Sequence, residues 1–333
     1  MGDNNVFIPP RWLRGMYAQT ILASSRIRTL GRNPILDVSR EVILDAGDGV
    51  RLQGFFSPQV HQDPKGLVIL LHGWEGSASS TYILHTGRYL YEHGYAVFRL
   101  NLRDHGQTHH LNEGMFYGTL LDEVFYSIKQ AAELSDGRAV FLAGFSLGGN
   151  FALRIARKAS DEPINNLRGV MAISPALDPS KSTDKIDGNP LLRWYFLRKW
   201  KRSLMIKQEL YPGLYDFSDV VMLDSTRAMT DILVARYGTY RDSNEYFRGY
   251  TLGADFFKDV RVPLTIVISR DDPVIPVSDF YRLQLSRNTD LVVHDYGGHN
   301  GFVYGVASAT WYERRMSELF ERLQEDSSKE MMC

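Results

Sequence analysis

A doubly wound, mostly parallel α/β sheet with an inserted subdomain is predicted for this 333-residue chain by three observations. Short, wholly apolar runs alternate with helical stretches, which is how parallel strands buried on both faces read. A pair of apolar–polar alternating segments precedes them and predicts an antiparallel edge. One interval of about 80 residues, far longer than an ordinary connection, contains no buried strand and must be an insertion.

In chain order, residues 1–38 form a lead segment. Residues 41–45 and 50–56 alternate around Ala46-Gly47-Asp48-Gly49, a turn cluster that closes a hairpin. The apolar runs follow at 67–71, 96–98, 139–143, 170–173, 264–268 and 291–293, and stretches at 79–93, 119–134, 147–159, 278–287 and 306–326 suit amphipathic helices. The core is therefore expected in two parts, 39–177 and 262–326, separated by an inserted cap at 178–261 and followed by a polar tail at 327–333. The cap is rich in aromatic residues, among them Trp194, Tyr195, Phe196, Trp200, Tyr246 and Tyr250, and is expected to cover something.

Composition excludes several classes of protein. With 44% hydrophobic and 23% charged residues the chain is an ordinary globular one. Its 38 basic and 39 acidic residues leave a formal charge of -1, so no global field draws it to nucleic acid or anionic lipid. The single cysteine, Cys333, allows no internal disulfide and fits a reducing cytoplasm. The first residues lack the basic and apolar regions of a secretory signal, and the longest apolar run is far below the ~18 residues of a spanning helix. A cytoplasmic location is the expectation.

The strongest chemical signal is Gly144-Phe145-Ser146-Leu147-Gly148, a G-x-S-x-G pattern between a buried strand and a good helix. A sharp strand-to-helix turn there needs small neighbours and leaves the Ser146 hydroxyl exposed at the helix N-terminus, where backbone N–H groups favour developing negative charge. By itself the pattern also reads as a helix N-cap in a glycine turn. Serine becomes nucleophilic through an adjacent base that a third group orients. His299, in the loop Gly297-Gly298-His299-Asn300-Gly301 after the last strand, is the candidate base. Asp272, in Ser269-Arg-Asp-Asp-Pro after the preceding strand, is the candidate acid, with Asp271 as the alternative. After the first apolar run, His72-Gly73-Trp74-Glu75-Gly76 is expected to aim the Trp74 N–H into the site, forming an oxyanion hole with the Leu147 N–H. His72 itself reads as a buried histidine bonding its own loop.

Two further segments have more than one reading. Residues 101–110 hold three histidines and an aspartate but match no zinc-ligand spacing, so loop ordering is the preferred reading over a metal site. Residues 193–202 mix five cations with four aromatics, which suits a membrane surface or single-stranded nucleic acid. The preferred reading is instead a helix of the insertion, its aromatics inward over the pocket and its cations outward.

Together with the lead sequence Pro10-Arg-Trp-Leu-Arg-Gly-Met-Tyr-Ala-Gln-Thr-Ile21, these motifs resemble the α/β-hydrolase superfamily and, within it, the YheT-like group of hydrolases. The resemblance implies a Ser146–Asp272–His299 triad and esterase or acyl-transfer activity on carboxylic esters, without a cofactor; the spacing of the 101–110 residues gives no expectation of a metal. The loop Arg103-Asp104-His105-Gly106 departs from the R-G-C-x-G form of many members. The expectation is a serine hydrolase that cleaves a small ester with an apolar acyl group through an acyl-enzyme. The alternatives are acyl transfer to an alcohol or thiol by the same residues, and a non-catalytic binding protein of the same fold. No nucleic-acid partner is expected.

Overall fold

The structure, a computed structural model, describes residues 6–330, with side chains through residue 325. The readings placed on residues 1–5 and on Cys333 lie outside the described residues. Ahead of the sheet come α1 (Met16–Ser24) and the single turn α2 (Pro34–Asp37). Strands β1 (Arg40–Asp45) and β2 (Arg51–Ser57) form the expected antiparallel hairpin, closed by Ala46 N–H donating to Val50 O. Next come β3 (Leu67–Leu71), α3 (Thr81–Glu92), β4 (Ala96–Leu100), α4 (Leu121–Glu133), β5 (Val140–Phe145), α5 (Leu147–Ala159) and β6 (Leu167–Ile173). The insertion is helical: α6 (Pro179–Asp187), α7 (Pro190–Leu210), α8 (Thr226–Tyr237) and α9 (Ser243–Arg248). Strands β7 (Leu264–Ser269) and β8 (Thr289–His294) and helix α10 (Trp311–Glu330) complete the chain.

The eight strands form one sheet in the order β1-β2-β4-β3-β5-β6-β7-β8, parallel from β4 to β8. This is the α/β-hydrolase architecture. Alternation along each strand divides its side chains between the two faces. Leu67, Ile69 and Leu71 of β3 pack with α4 and α5, while Val68 and Leu70 pack with α3 and α10. A third cluster, built around Leu197, Leu204, Phe217, Met229 and Leu233, gives the insertion its own core. Among the described residues no helix is long and apolar enough to cross a membrane.

Two expected helices differ. Residues 278–287 form a one-turn 3-10 helix at Val277–Asp279 followed by turns. The Gln284 N–H donates to Ala254 O, across to the end of the insertion, in place of a carbonyl one helical turn back. The last helix begins at Trp311, later than expected, because Thr310 and Glu313 form a reciprocal capping box. Glu313 N–H donates to Thr310 Oγ1 (3.2 Å) and Thr310 N–H to Glu313 Oε2 (2.7 Å).

The hairpin meets β4 through Gly54, where a Cβ would stand 2.1 Å from the Phe98 ring. Gly54→Ala should therefore destabilise the fold by about 1–3 kcal/mol in a denaturant titration, the usual cost of overpacking a core.

Candidate active site

Winding begins at β3 and proceeds to β4 on one side and to β5 on the other, so the carboxyl ends of β3 and β5 diverge at a topological switch point, where open α/β sheets hold their ligands. The register pairs Leu71 with Gly144, and Gly73 and Ser146 each lie two residues beyond that pair. The two turns touch: a Cβ on Gly73 would stand 3.1 Å from Ser146 Cβ. Ser146 has φ 55° and ψ -116°, a strained backbone conformation for a residue with a side chain. Its N–H donates to Ile173 O (2.9 Å) and its carbonyl accepts the Asn150 N–H (3.0 Å), which together hold the turn. The flanking glycines are required by close approach. A Cβ on Gly144 would lie 2.2 Å from Gly148 O, and one on Gly148 would lie 2.4 Å from His72 O.

The three side chains expected to act together do converge. His299 Nε2 lies 2.9 Å from Ser146 Oγ, and His299 Nδ1 lies 3.0 Å and 3.2 Å from the two oxygens of Asp272. A carboxylate accepts, so Nδ1 carries the proton, Nε2 is the acceptor, and the serine hydroxyl donates to it. Asp272 is held in turn by Val274 N–H (2.8 Å) and Ile275 N–H (2.9 Å), both donating to Oδ1. Asp271 faces elsewhere: its Oδ1 accepts the Gly298 N–H (2.9 Å), and burial raises its carboxyl above the ordinary range. Trp74 and Leu147 line the same cavity as Ser146, and neither backbone N–H donates to a protein acceptor among the described residues.

His72 stays structural. Its Nε2 accepts the Leu102 N–H (3.1 Å), its Nδ1 meets Gly73 O (2.8 Å), and burial pushes its pKa down to about 4, so the ring is neutral. In the following loop Lys207 of α7 is buried. Its ammonium donates to Asp104 Oδ1 (2.9 Å), Asn112 O (2.6 Å) and Gly114 O (3.1 Å). His109 meets Ser203 Oγ (2.7 Å), and burial holds His109 at about 4 and His105 well below the ordinary value. No group of three or more His, Cys, Asp or Glu residues among the described residues is placed to hold a metal ion.

Sequence reasoning missed the residues that brace the site from outside it. The Thr20 hydroxyl of α1 accepts the His299 N–H (2.9 Å). Beside it the buried Gln19 amide donates to Leu13 O and Val303 O and accepts from Val303 N–H, fastening the lead segment to the histidine loop. Gln19 and Thr20 belong to the lead sequence, but nothing local says which loop they meet. On the other side Lys199 of α7 donates to Glu75 O (2.8 Å), tying the insertion to the turn that carries the Trp74 N–H. Burial pushes the neighbouring Glu75 carboxyl up to about 8.

The insertion closes a cavity of about 120 Å³ over Ser146. Met115, Phe116, Leu233, Tyr246 and Ile275 are among its walls, and no lining residue carries a charge. The Trp74 indole stacks on Phe196 (centroids 5.3 Å apart, 11° between planes) and meets Trp200 edge-on (5.1 Å). This corrects the reading of residues 193–202. They are helical and two of their aromatics do face the pocket, but Trp194 and Tyr195 are exposed. At 3.6 residues per turn, four aromatics at 194, 195, 196 and 200 cannot share one narrow face.

A profile of the family described as Serine aminopeptidase, S33, matches residues 62–302. A Synechocystis protein named as a candidate esterase, slr0264, is 24% identical over 328 residues, spanning 89% of this chain and 87% of its own. Phospholipase ABHD3 of Bos taurus is 22% identical over 330 residues, covering 95% of this chain and 78% of its own. Among solved structures the esterase Pf2001 of Pyrococcus furiosus superposes with a TM-score of 0.57 at 16% identity, covering 88% of this chain and 96% of that one. That likeness shows the fold.

The bond from Thr20 to the His299 backbone predicts a positioning effect. Thr20→Val, which keeps the shape and removes the acceptor, should lower kcat on a short soluble ester by about tenfold with KM little changed, and Thr20→Ser should restore it. Steady-state kinetics of the two variants checks this.

Proposed function

The chain belongs to the serine aminopeptidase S33 family of hydrolases, and from that premise we propose that it is a carboxylic-ester hydrolase of the YheT-like kind, acting in the cytoplasm on esters with an apolar acyl group. In this reading His299 Nε2 takes the hydroxyl proton as Ser146 Oγ bonds to the ester carbonyl carbon. The carbonyl electron pair moves onto oxygen, which the Trp74 and Leu147 N–H groups receive as an oxyanion. The bond to the alcohol oxygen breaks, that oxygen takes the proton from the imidazolium, and an acyl-Ser146 remains. Water then repeats the sequence with His299 as base and releases the acid. Asp272 keeps the proton on Nδ1 and stabilises the imidazolium.

The observation that carries the proposal is the charge-free wall of the cavity against Ser146. An aminopeptidase must hold a free α-ammonium group, and an unpaired cation in an apolar cavity is strongly disfavoured. Among the residues lining this cavity there is no carboxylate to receive one, whereas an acyl chain gains from every apolar contact. The esterase and phospholipase names of the relatives agree with that choice.

The proposal is tested by labelling the purified protein with a fluorophosphonate and measuring hydrolysis of p-nitrophenyl butyrate. The expected result is labelling that Ser146→Ala abolishes, with hydrolysis falling by about 10³-fold or more. Labelling that survives in Ser146→Ala, or hydrolysis unchanged by it, overturns the proposal. Asp272→Asn should cost about 10³-fold to 10⁴-fold in kcat, while Asp271→Asn, whose amide oxygen can still accept the Gly298 N–H, should stay within about tenfold of the parent. The reverse ranking would assign the acid to Asp271.

A further inference from the structure

The exposed aromatics of α7 lie beside α1. The Tyr17 hydroxyl accepts from Asn189 Nδ2 (2.6 Å) at the N-terminus of α7, and at the other end of α1 the Thr81 hydroxyl donates to Ser24 O (3.1 Å). Helix α1 therefore spans from α7 to α3, directly over the histidine loop that Thr20 braces. Its Met16 and Tyr17 share a surface groove with Lys181, Lys185 and the Asp271–Asp272 turn. Along this rim apolar side chains stand in solvent. Leu191, Trp194 and Tyr195 occupy one face of the first turns of α7, with Trp194 57% exposed, and Ile21 of α1 is 59% exposed. Apolar side chains gathered in this way beside a site are a mark of a contact surface.

Helix α1 itself carries no charge, but the stretches that flank it and helix α7 are basic. Residues 6–37 hold five arginines against one acid, and Pro190–Leu210 holds six basic residues against one acid, in a chain whose total is -1. Of these eleven cations Arg32 pairs with Asp37, Lys207 pairs with Asp104, and Arg28 is buried beside His85. The remaining eight have no ion-pair partner among the described residues, although ion pairs are frequent elsewhere on the surface; three of the eight, Arg14, Arg193 and Lys199, donate to backbone carbonyls. Within α7 the Arg198 guanidinium lies 5.6 Å over the Trp194 ring and Lys199 lies 5.0 Å over Tyr195, so cations and apolar anchors alternate on one helix.

We infer that the rim formed by α1 and the first half of α7 docks on an anionic lipid bilayer, with Ile21, Leu191, Trp194 and Tyr195 entering the headgroup region and the arginines and lysines meeting lipid phosphates and carboxylates. This rests on the ester-hydrolase reading for its purpose: docking would bring the Ser146 cavity to the phase that holds apolar acyl esters. A second copy of the chain is the poorer occupant, because a two-fold contact would place this basic face against itself. Single-stranded nucleic acid could stack on Trp194 and Tyr195 but has no use for the equally exposed aliphatic Ile21 and Leu191, which a bilayer buries.

The full-length protein is mixed with vesicles of phosphatidylcholine alone and of phosphatidylcholine with phosphatidylserine, and the bound fraction is measured by flotation. Binding is expected to the phosphatidylserine vesicles and to fall steeply with added salt. Leu191→Ser/Trp194→Ser should weaken it by about tenfold or more, and Arg198→Glu/Arg202→Glu should remove the preference for anionic lipid. Both double variants change exposed residues outside the cavity walls, so their hydrolysis of p-nitrophenyl butyrate should match the parent. That soluble assay reports on the ester-hydrolase reading separately from docking. Failure to float with either vesicle, or flotation unaffected by both double variants, overturns the inference. So does sedimentation as a dimer that Leu191→Ser/Trp194→Ser dissociates, or binding to a single-stranded oligonucleotide in preference to the vesicles.

Discussion

The parallel pairing of β3 with β5 is the constraint on which the site depends. Because Leu71 is registered with Gly144, the turns at Gly73 and Ser146 arrive side by side at one edge of the sheet. They can do so only where backbone approaches backbone, which is why glycine stands at 73, 144 and 148. The strained φ of Ser146 is the local cost of aiming its hydroxyl off the sheet edge, of order 1–3 kcal/mol, and the surrounding strand and helix hold it there. The same divergence of chains opens the crevice that the substrate would enter.

Two segments remote in sequence complete what that edge begins. From the N-terminal side α1 takes the backbone of the histidine loop, through Thr20 at His299 and Gln19 at Val303. From the insertion α7 takes the opposite wall, with Lys199 on Glu75 O, Lys207 inside the 104–114 loop and Phe196 stacked on Trp74. The glycine-rich histidine loop contributes few side chains of its own to hold it, so this bracing from outside substitutes for local rigidity. Buried Gln19 and Lys207 each satisfy several backbone groups at once, which fixes loops that would otherwise leave polar atoms unpaired.

Strand and helix positions were legible wherever one signal dominated. The runs at 67–71 and 147–159 coincide with β3 and α5, because unbroken apolar character and a glycine-bounded turn leave no competing arrangement. The segment at 278–287 had helical character without a cap, and a contact with Ala254 outweighed it. The start of α10 is written in the Thr310–Glu313 capping box, whose spacing is present in the sequence. Residues 193–202 show the limit of pattern reading. Periodicity identifies the helix, but which aromatics face inward depends on where Trp74 lies.

The sequence by itself determined the order of strands and helices, the serine turn with its obligatory glycines, and the chemical identity of the residues at the ends of β5, β7 and β8. These follow from local physics: periodicity of burial, permitted backbone angles and the chemistry of side chains. Tertiary structure alone decided that Asp272 rather than Asp271 meets the imidazole, that Thr20 braces it, and that the cavity wall carries no charge. Each of these depends on which groups become neighbours across many tens of residues. Close packing settles that globally, and adjacent aspartates with the same local propensities can be told apart only by what finally stands in front of them.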